Sequence, residues 1–330
     1  AEPFLEYLAV AKVGGATQVG KGVYTHFLDE KGGIRADLTI VRLSEDCFRV
    51  ICGGGTGHRD LVWIKQMAAV RNADIEIHNR THQLATLGLW GPNARKVLAS
   101  LVDDPNAVSD AKFPFATAAN IEIAGINIWA FRISYVGELG WELYFDFADG
   151  LQLWDLFADA GVNPVGIETY ANSRRLEKSL RLQNADLETD YNLHEADLAR
   201  KLVKKADFHG KAAYVAQKAA DQQASYLCTM VMLKNVDASG VARYPVGEWP
   251  ILNKETREVL LDELGRRSIC TSVEYGPSLG SNIILGYIPA EFASVGTELL
   301  LEYFCEEYPI RIEAVGYAPL LDPENLRVRS

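Results

Sequence analysis

Positive charge is the first shortage. The 330 residues carry 33 Lys and Arg against 44 Asp and Glu, a formal net charge of -11. Affinity for a phosphate backbone comes mainly from clustered Lys and Arg, so no nucleic-acid partner is expected. A single well-placed Arg can still hold an anionic small ligand while the surface as a whole stays negative. Cysteine is scarce as well: Cys47, Cys52, Cys228, Cys270 and Cys305 are odd in number, scattered, and form no C-x-x-C. That spacing argues against a disulfide framework or a zinc module and fits buried thiols in a reducing compartment.

The remaining absences narrow the function classes further. His26, His58, His78, His82, His194 and His209 share no metal-ligand spacing, so no metal site is expected. No apolar stretch approaches the length of a membrane span, and Ala1 to Val10 lacks the basic-then-apolar order of a signal peptide. The expectation is a protein without a membrane partner, cytoplasmic or, in a eukaryote, in the mitochondrial matrix. There is no P-loop, no H-E-x-x-H and no Rossmann glycine fingerprint. Gly53-Gly-Gly55 lacks the Lys-Ser/Thr that would make it a phosphate cradle of the P-loop kind.

What is present is an ordinary globular composition, 48% hydrophobic and 23% charged, long enough for two or three packed units. Pro3 to Ala9 reads as the end of a helix. Val23–Leu28 and Asp37–Leu43 read as strands joined by the glycine-containing loop Asp29–Gly33, and Phe48–Cys52 as a third strand that Gly53–Gly55 breaks. A helix is expected over Arg59–Val70, where Leu61, Ile64, Met67 and Ala68 recur at helical spacing. Ala85–Trp90 reads as a strand, Gly91-Pro92 as the opening of a second helix, and Ile121 to Ile128 as a hairpin about Ala124-Gly125. Leu151 to Phe157 marks a helix ending at Gly161. Beyond about Tyr226, alternating runs at Leu227–Leu233, Ile283–Ile288, Leu299–Phe304 and Ile310–Val315 predict a mostly β unit.

The segment Arg132-Ile-Ser-Tyr-Val-Gly-Glu-Leu-Gly-Trp-Glu142 gathers two carboxylates and two aromatics around two glycines. A carboxylate beside an aromatic can recognise a flat, nitrogen-rich heterocycle, accepting its N–H groups while the ring is stacked. The same residues also describe a hairpin whose Trp141 and Tyr135 are core and whose acids are solvated. The residues alone leave both readings open.

Six segments in order resemble signatures of the aminomethyltransferase family: Tyr24 to Val41, Gly88 to Pro92, Arg132 to Leu143, Arg175-Leu-Glu-Lys178, Lys205 to Lys211, and Pro319 to Asn325. The last resembles the closing residues of the flavin-linked dimethylglycine and sarcosine dehydrogenases more than those of the glycine-cleavage T-protein. The resemblance implies an α+β aminomethyltransferase folate-binding fold, with repeated strand-helix units around a central channel and a C-terminal β-barrel-like domain. It implies a folate-binding region over 1–225, built of intertwined subdomains of about 1–80 and 81–225, and a β domain over 226–330. About the first fifth of the family's aminomethyltransferase region is expected to be missing, along with a flavin domain.

The family pattern also implies a site. Tyr24, Tyr135 and Glu142 match folate-contacting positions, and Asp37 matches the aspartate beside the reacting folate nitrogens. Arg175 lies in the segment that steadies the folate or the site around it. Asp37 would take and return protons during one-carbon capture, a task burial suits by raising a carboxyl's pKa; its plainer reading is a turn acid after Gly32-Gly33. His58, just past the glycine run, is the histidine expected nearest the folate.

The implied function is a tetrahydrofolate-dependent one-carbon acceptor, with FAD on a missing domain or a flavin-containing partner subunit. A free-standing folate-dependent transferase and a non-catalytic folate-binding accessory protein are the alternatives. Val50-Ile-Cys-Gly-Gly54 stands where the T-protein pattern has an Asn, which implies one folate hydrogen bond lost or supplied by backbone, and Val136 for a Thr and Ser179-Leu180 for Gly-Tyr bear on substrate orientation more than on folate binding.

Overall fold

The computed structural model describes residues 1–14, 18–199 and 202–329. The chain divides into two units, one comprising Ala1–Thr25, Leu38–Gly166 and Glu324–Ser330, the other His26–Asp37 and Ile167–Pro323.

The first unit opens with α1 (Glu2–Leu8), a short helix with Pro3 in its first turn, where a missing N–H costs nothing. Strands β1 (Gly22–Leu28), β2 (Ile34–Arg42) and β3 (Phe48–Cys52) form a sheet in that order, the end of β1 from His26 and the start of β2 to Asp37 being counted with the second unit. Gly53–Gly55 ends β3, and α2 (Gly57–Val70) buries Ile64 and Met67 at the expected spacing. A second sheet, of order β4-β7-β6-β5, combines β4 (Leu84–Trp90), β5 (Ala118–Ile123), β6 (Ile126–Phe131) and β7 (Gly140–Asp146).

One face of that second sheet is the unit's main core. Leu89, Ile121, Ile128, Ala130, Trp141, Leu143 and Phe145 pack there with Leu98 of α3 (Ala94–Leu101) and with Leu153 and Phe157 of α4 (Gly150–Asp159). The β5–β6 turn falls on Ala124 (φ 51°) and Gly125 (φ 80°), the left-handed pair that a two-residue hairpin needs. Pro92 differs from expectation: it precedes the helix instead of opening it. Ala94 N–H bonds the Gly91 carbonyl at 3.0 Å, so Pro92 occupies the second position of a tight turn, where its fixed φ is equally at home.

The second unit carries a π-helical turn, Thr169–Arg174, running into α5 (Arg175–Glu177), and then α6 (Lys211–Lys218). Its strands β8 (Ser225–Met232), β9 (Trp249–Leu252), β10 (Ile269–Gly276), β11 (Ser281–Pro289), β12 (Glu298–Tyr303) and β13 (Glu306–Val315) close a barrel of order β10-β11-β8-β13-β12-β9. Met230, Ile251, Cys270, Ile284, Leu301, Ile310 and Ile312 fill it. The α+β class with a C-terminal barrel is therefore the observed one. Periodicity did not announce β9 and β10, because β9 is four residues long and contains Pro250, and β10 carries Thr271 and Ser272. The cysteines are free, but Cys47 and Cys305 are exposed, which corrects the expectation of buried thiols throughout.

Among the described residues no helix is long and apolar enough to cross a membrane. None of their His, Cys, Asp and Glu side chains form a group of three or more placed to hold a metal ion.

Candidate functional site

In the first unit the site is a wall on the second sheet, opposite the core. Trp141, Leu143 and Phe145 of β7 point into the core, so the two-residue pleat turns Glu142 and Tyr144 to the other face. Glu142 lies across from Gly88 of β4 and Phe131 of β6. Gly88 makes room for the indole of Trp90: a Cβ at that position would meet the ring at 2.0 Å. The indole Nε1–H donates to the Ile133 carbonyl at 3.0 Å, tying β4 to the loop that precedes Glu142.

Aromatic side chains continue the wall. Trp129 and Phe131 stack with ring centroids 6.0 Å apart, and Trp129 meets Tyr144 edge-on at 5.2 Å. The Arg49 guanidinium of β3 lies 4.0 Å from the centre of the Trp129 ring. Phe131 covers Gly22 of β1, where a Cβ would come within 2.4 Å of the phenyl ring. Tyr24, two residues on, shares that face of β1 and is 40% exposed.

Glu142 places a carboxylate within this aromatic surface. Burial raises its pKa, and the Tyr144 hydroxyl, donating at 2.5 Å, acts in the opposite direction. An ionised carboxylate accepts about four hydrogen bonds, so one phenolic donor leaves acceptor capacity for N–H groups of a flat ligand.

The residues of the Arg132–Glu142 segment lie in different environments. Trp141 is core, Tyr135 is half-buried, and Glu142 is a sheltered acceptor. Glu138 does different work from Glu142, since its carboxylate pairs with Arg327 at 2.9 Å.

In the second unit Asp37 lies within β2, not in the turn before it, and its side chain is 14% exposed. The turn is capped instead by Asp29, whose Oδ1 accepts from Lys31 and Gly33 N–H at 2.9 and 2.8 Å. Asp37 Oδ1 stands 3.7 Å from Nε2 of His26. Burial first, and then the positive charge of Arg181, lower the His26 pKa to about 3, outweighing the nearby carboxylate, so the imidazole is neutral at pH 7. His26 is the residue that sequence reasoning missed; counting outward from the Asp29–Gly33 turn brings it alongside this part of β2. His58, the histidine singled out instead, is exposed on the first turn of α2.

Arg175 is fully buried. Its Nε donates to the Ala171 carbonyl at 2.7 Å, Nη1 to the Leu180 carbonyl at 3.0 Å and to Asp186 at 2.5 Å, and Nη2 to Ser272 Oγ at 2.6 Å. Asp186 in turn accepts from Thr271, from Ser272 at 2.8 Å and from Leu182 N–H at 2.9 Å. The guanidinium is thus spent on the protein itself and braces the Arg-Leu-Glu segment against β10. Lys178 grips the Leu321 and Asp322 carbonyls at 3.1 and 2.5 Å. Ser179, standing where the resembled pattern has glycine, holds a left-handed φ of 52° with its hydroxyl 3.1 Å from that of Thr229.

The chain matches the GCVT N-terminal domain over residues 1–206 and the glycine cleavage T-protein C-terminal barrel domain over residues 246–315. It belongs to the glycine-cleavage T-protein family. Human mitochondrial dimethylglycine dehydrogenase is 34% identical over 298 residues, covering 88% of this chain and 32% of that one. An aminomethyltransferase of Listeria monocytogenes serotype 4b is 30% identical over 301 residues, covering 90% of this chain and 75% of the relative. The crystal structure of aminomethyltransferase T of the glycine cleavage system from Bartonella henselae shares the fold, with a TM-score of 0.79 at 22% identity over 98% of this chain and 81% of that one. The T-protein-family chain spans about a third of the length of the dimethylglycine dehydrogenases it matches.

Proposed function

We propose that this chain is the tetrahydrofolate-dependent one-carbon acceptor part of an oxidoreductase that demethylates an N-methyl amine resembling dimethylglycine or sarcosine. The observation that carries the reading is Glu142: a sheltered carboxylate with acceptor capacity to spare, set among Trp90, Phe131 and Trp129. Such a site fits a pterin, which is flat and presents neighbouring N–H groups. Similarity to dimethylglycine dehydrogenase over 88% of the chain supports the amine context. Oxidation of the amine falls to a flavin-containing unit or subunit beyond these residues.

The chain's own residues then have distinct tasks. Glu142 accepts pterin N–H groups, Tyr24 and Tyr135 line the ligand, and Arg175 steadies the Arg-Leu-Glu segment without touching folate. Joining one carbon to two folate nitrogens removes their N–H protons and expels the carbonyl oxygen of formaldehyde as water. Asp37 takes a proton from nitrogen and returns it to the departing oxygen. The product is 5,10-methylenetetrahydrofolate.

A second reading, a free-standing folate-dependent transferase, is supported by the 75% coverage of the Listeria aminomethyltransferase. Titration of the chain with tetrahydrofolate, beside Glu142→Ala and Asp37→Asn, tests the site. Glu142→Ala should weaken binding, whereas Asp37→Asn should keep binding and slow product formation from formaldehyde. Equal binding by all three proteins would remove Glu142 from the folate site.

A further inference from the structure

Tyr135 lies on a loop, Arg132 to Leu139, that enters β7 and so leads directly to Glu142. A loop that orients a ligand needs ties of its own, because it lacks the ladder of hydrogen bonds that fixes a strand. Two of those ties reach far along the chain, to the one-turn helix Leu326–Arg329. Arg327 Nη1 donates to Glu138 Oε1 at 2.9 Å, across 189 positions of sequence. At the loop's other end Arg132, 2% exposed, donates to the Arg329 carbonyl at 3.4 Å and to the Phe113 carbonyl at 2.8 Å. Between those two contacts Val328 is buried.

The arrangement is more than a surface ion pair. A four-residue helix cannot hold itself together, since helix nucleation is unfavourable and so few residues cannot repay it. Its place must therefore come from these contacts and from Val328. The Glu138 side chain is only 14% exposed, so removing its cation partner costs more than it would at a solvated glutamate.

We propose that Leu326–Arg329 is a positioning element for the ligand-contacting loop, with Arg327 as its positioning residue: by holding Glu138 it sets the orientation of Tyr135 and Glu142. This deepens the folate reading and rests on it.

Charge exchange separates the two claims. The intact chain is compared with Arg327→Glu, Glu138→Arg and the double exchange, with circular dichroism confirming that each variant folds. Two quantities are measured: backbone hydrogen exchange over residues 133–139 without ligand, and the dissociation constant for tetrahydrofolate. Each single variant should speed loop exchange and weaken binding about fivefold, the effect of losing a pair of this kind, and the double exchange should recover most of both. Unchanged exchange in Arg327→Glu overturns the tie, and faster exchange with an unaltered dissociation constant overturns the positioning role. If exchange follows the expected pattern but the intact chain binds no tetrahydrofolate, the loop tie stands and the folate reading fails.

Discussion

Replacing Arg175 by methionine removes a buried cation while keeping most of its volume. Asp186 would lose its buried partner, and losing one partner of a buried pair costs about 3–5 kcal/mol. Two opposing corrections follow from the geometry. Asp186 keeps Thr271, Ser272 and Leu182 N–H as donors, which lowers the cost. The Ala171 and Leu180 carbonyls lose theirs, at about 1 kcal/mol each. The expected loss is therefore about 4 kcal/mol, read by calorimetry and urea unfolding. Adding Asp186→Asn removes the stranded carboxylate and should bring the loss down to about 2 kcal/mol. At a temperature where Arg175→Met stays folded, tetrahydrofolate affinity should change little. A stability loss below about 1 kcal/mol, or a large affinity loss in a fully stable variant, would refute the bracing role.

Three further outcomes follow from the site. Tyr144→Phe deletes the donor that pulls the Glu142 pKa down, so burial raises it further and ionisation needs a higher pH. The pH below which tetrahydrofolate binding weakens should move upward in calorimetric titration, and an unmoved profile would refute the pairing. His26 takes up a proton near 6.5 when unfolded but only at about 3 when folded. Its contribution is complete above the unfolded value and is lost as pH falls toward the folded one, by about 1.4 kcal/mol per pH unit. His26→Gln should flatten that part of the stability profile between pH 6 and 4; an identical acid slope in both proteins would refute the assignment. Gly88→Ala drives a methyl into the Trp90 ring and should destabilise by about 1–3 kcal/mol with a shift in tryptophan emission, and an unmoved spectrum would contradict the packing.

Local signals carried much of the fold. The Asp29–Gly33 and Ala124-Gly125 turns, the helical spacing through Ile64 and Met67, and the alternation in β8, β11, β12 and β13 are all properties of a few neighbouring residues. Features set by distant partners were opaque. Thr271 and Ser272 make β10 look like a polar loop until Asp186 and Arg175 are seen to use their hydroxyls. Glu138 and Glu142 look alike in sequence, yet the first pairs with Arg327, 189 residues away, and the second accepts from Tyr144. His26 looked isolated because its neighbour Asp37 lies on the next strand.

Whether the wall around Glu142 receives a pterin is decided by a crystal structure of the chain soaked with tetrahydrofolate. Pterin N–H groups should lie within hydrogen-bonding distance of the Glu142 carboxylate, with the ring against the aromatic wall of β4 and β6. A pterin bound elsewhere, with Glu142 still paired to Tyr144 alone, would contradict that placement.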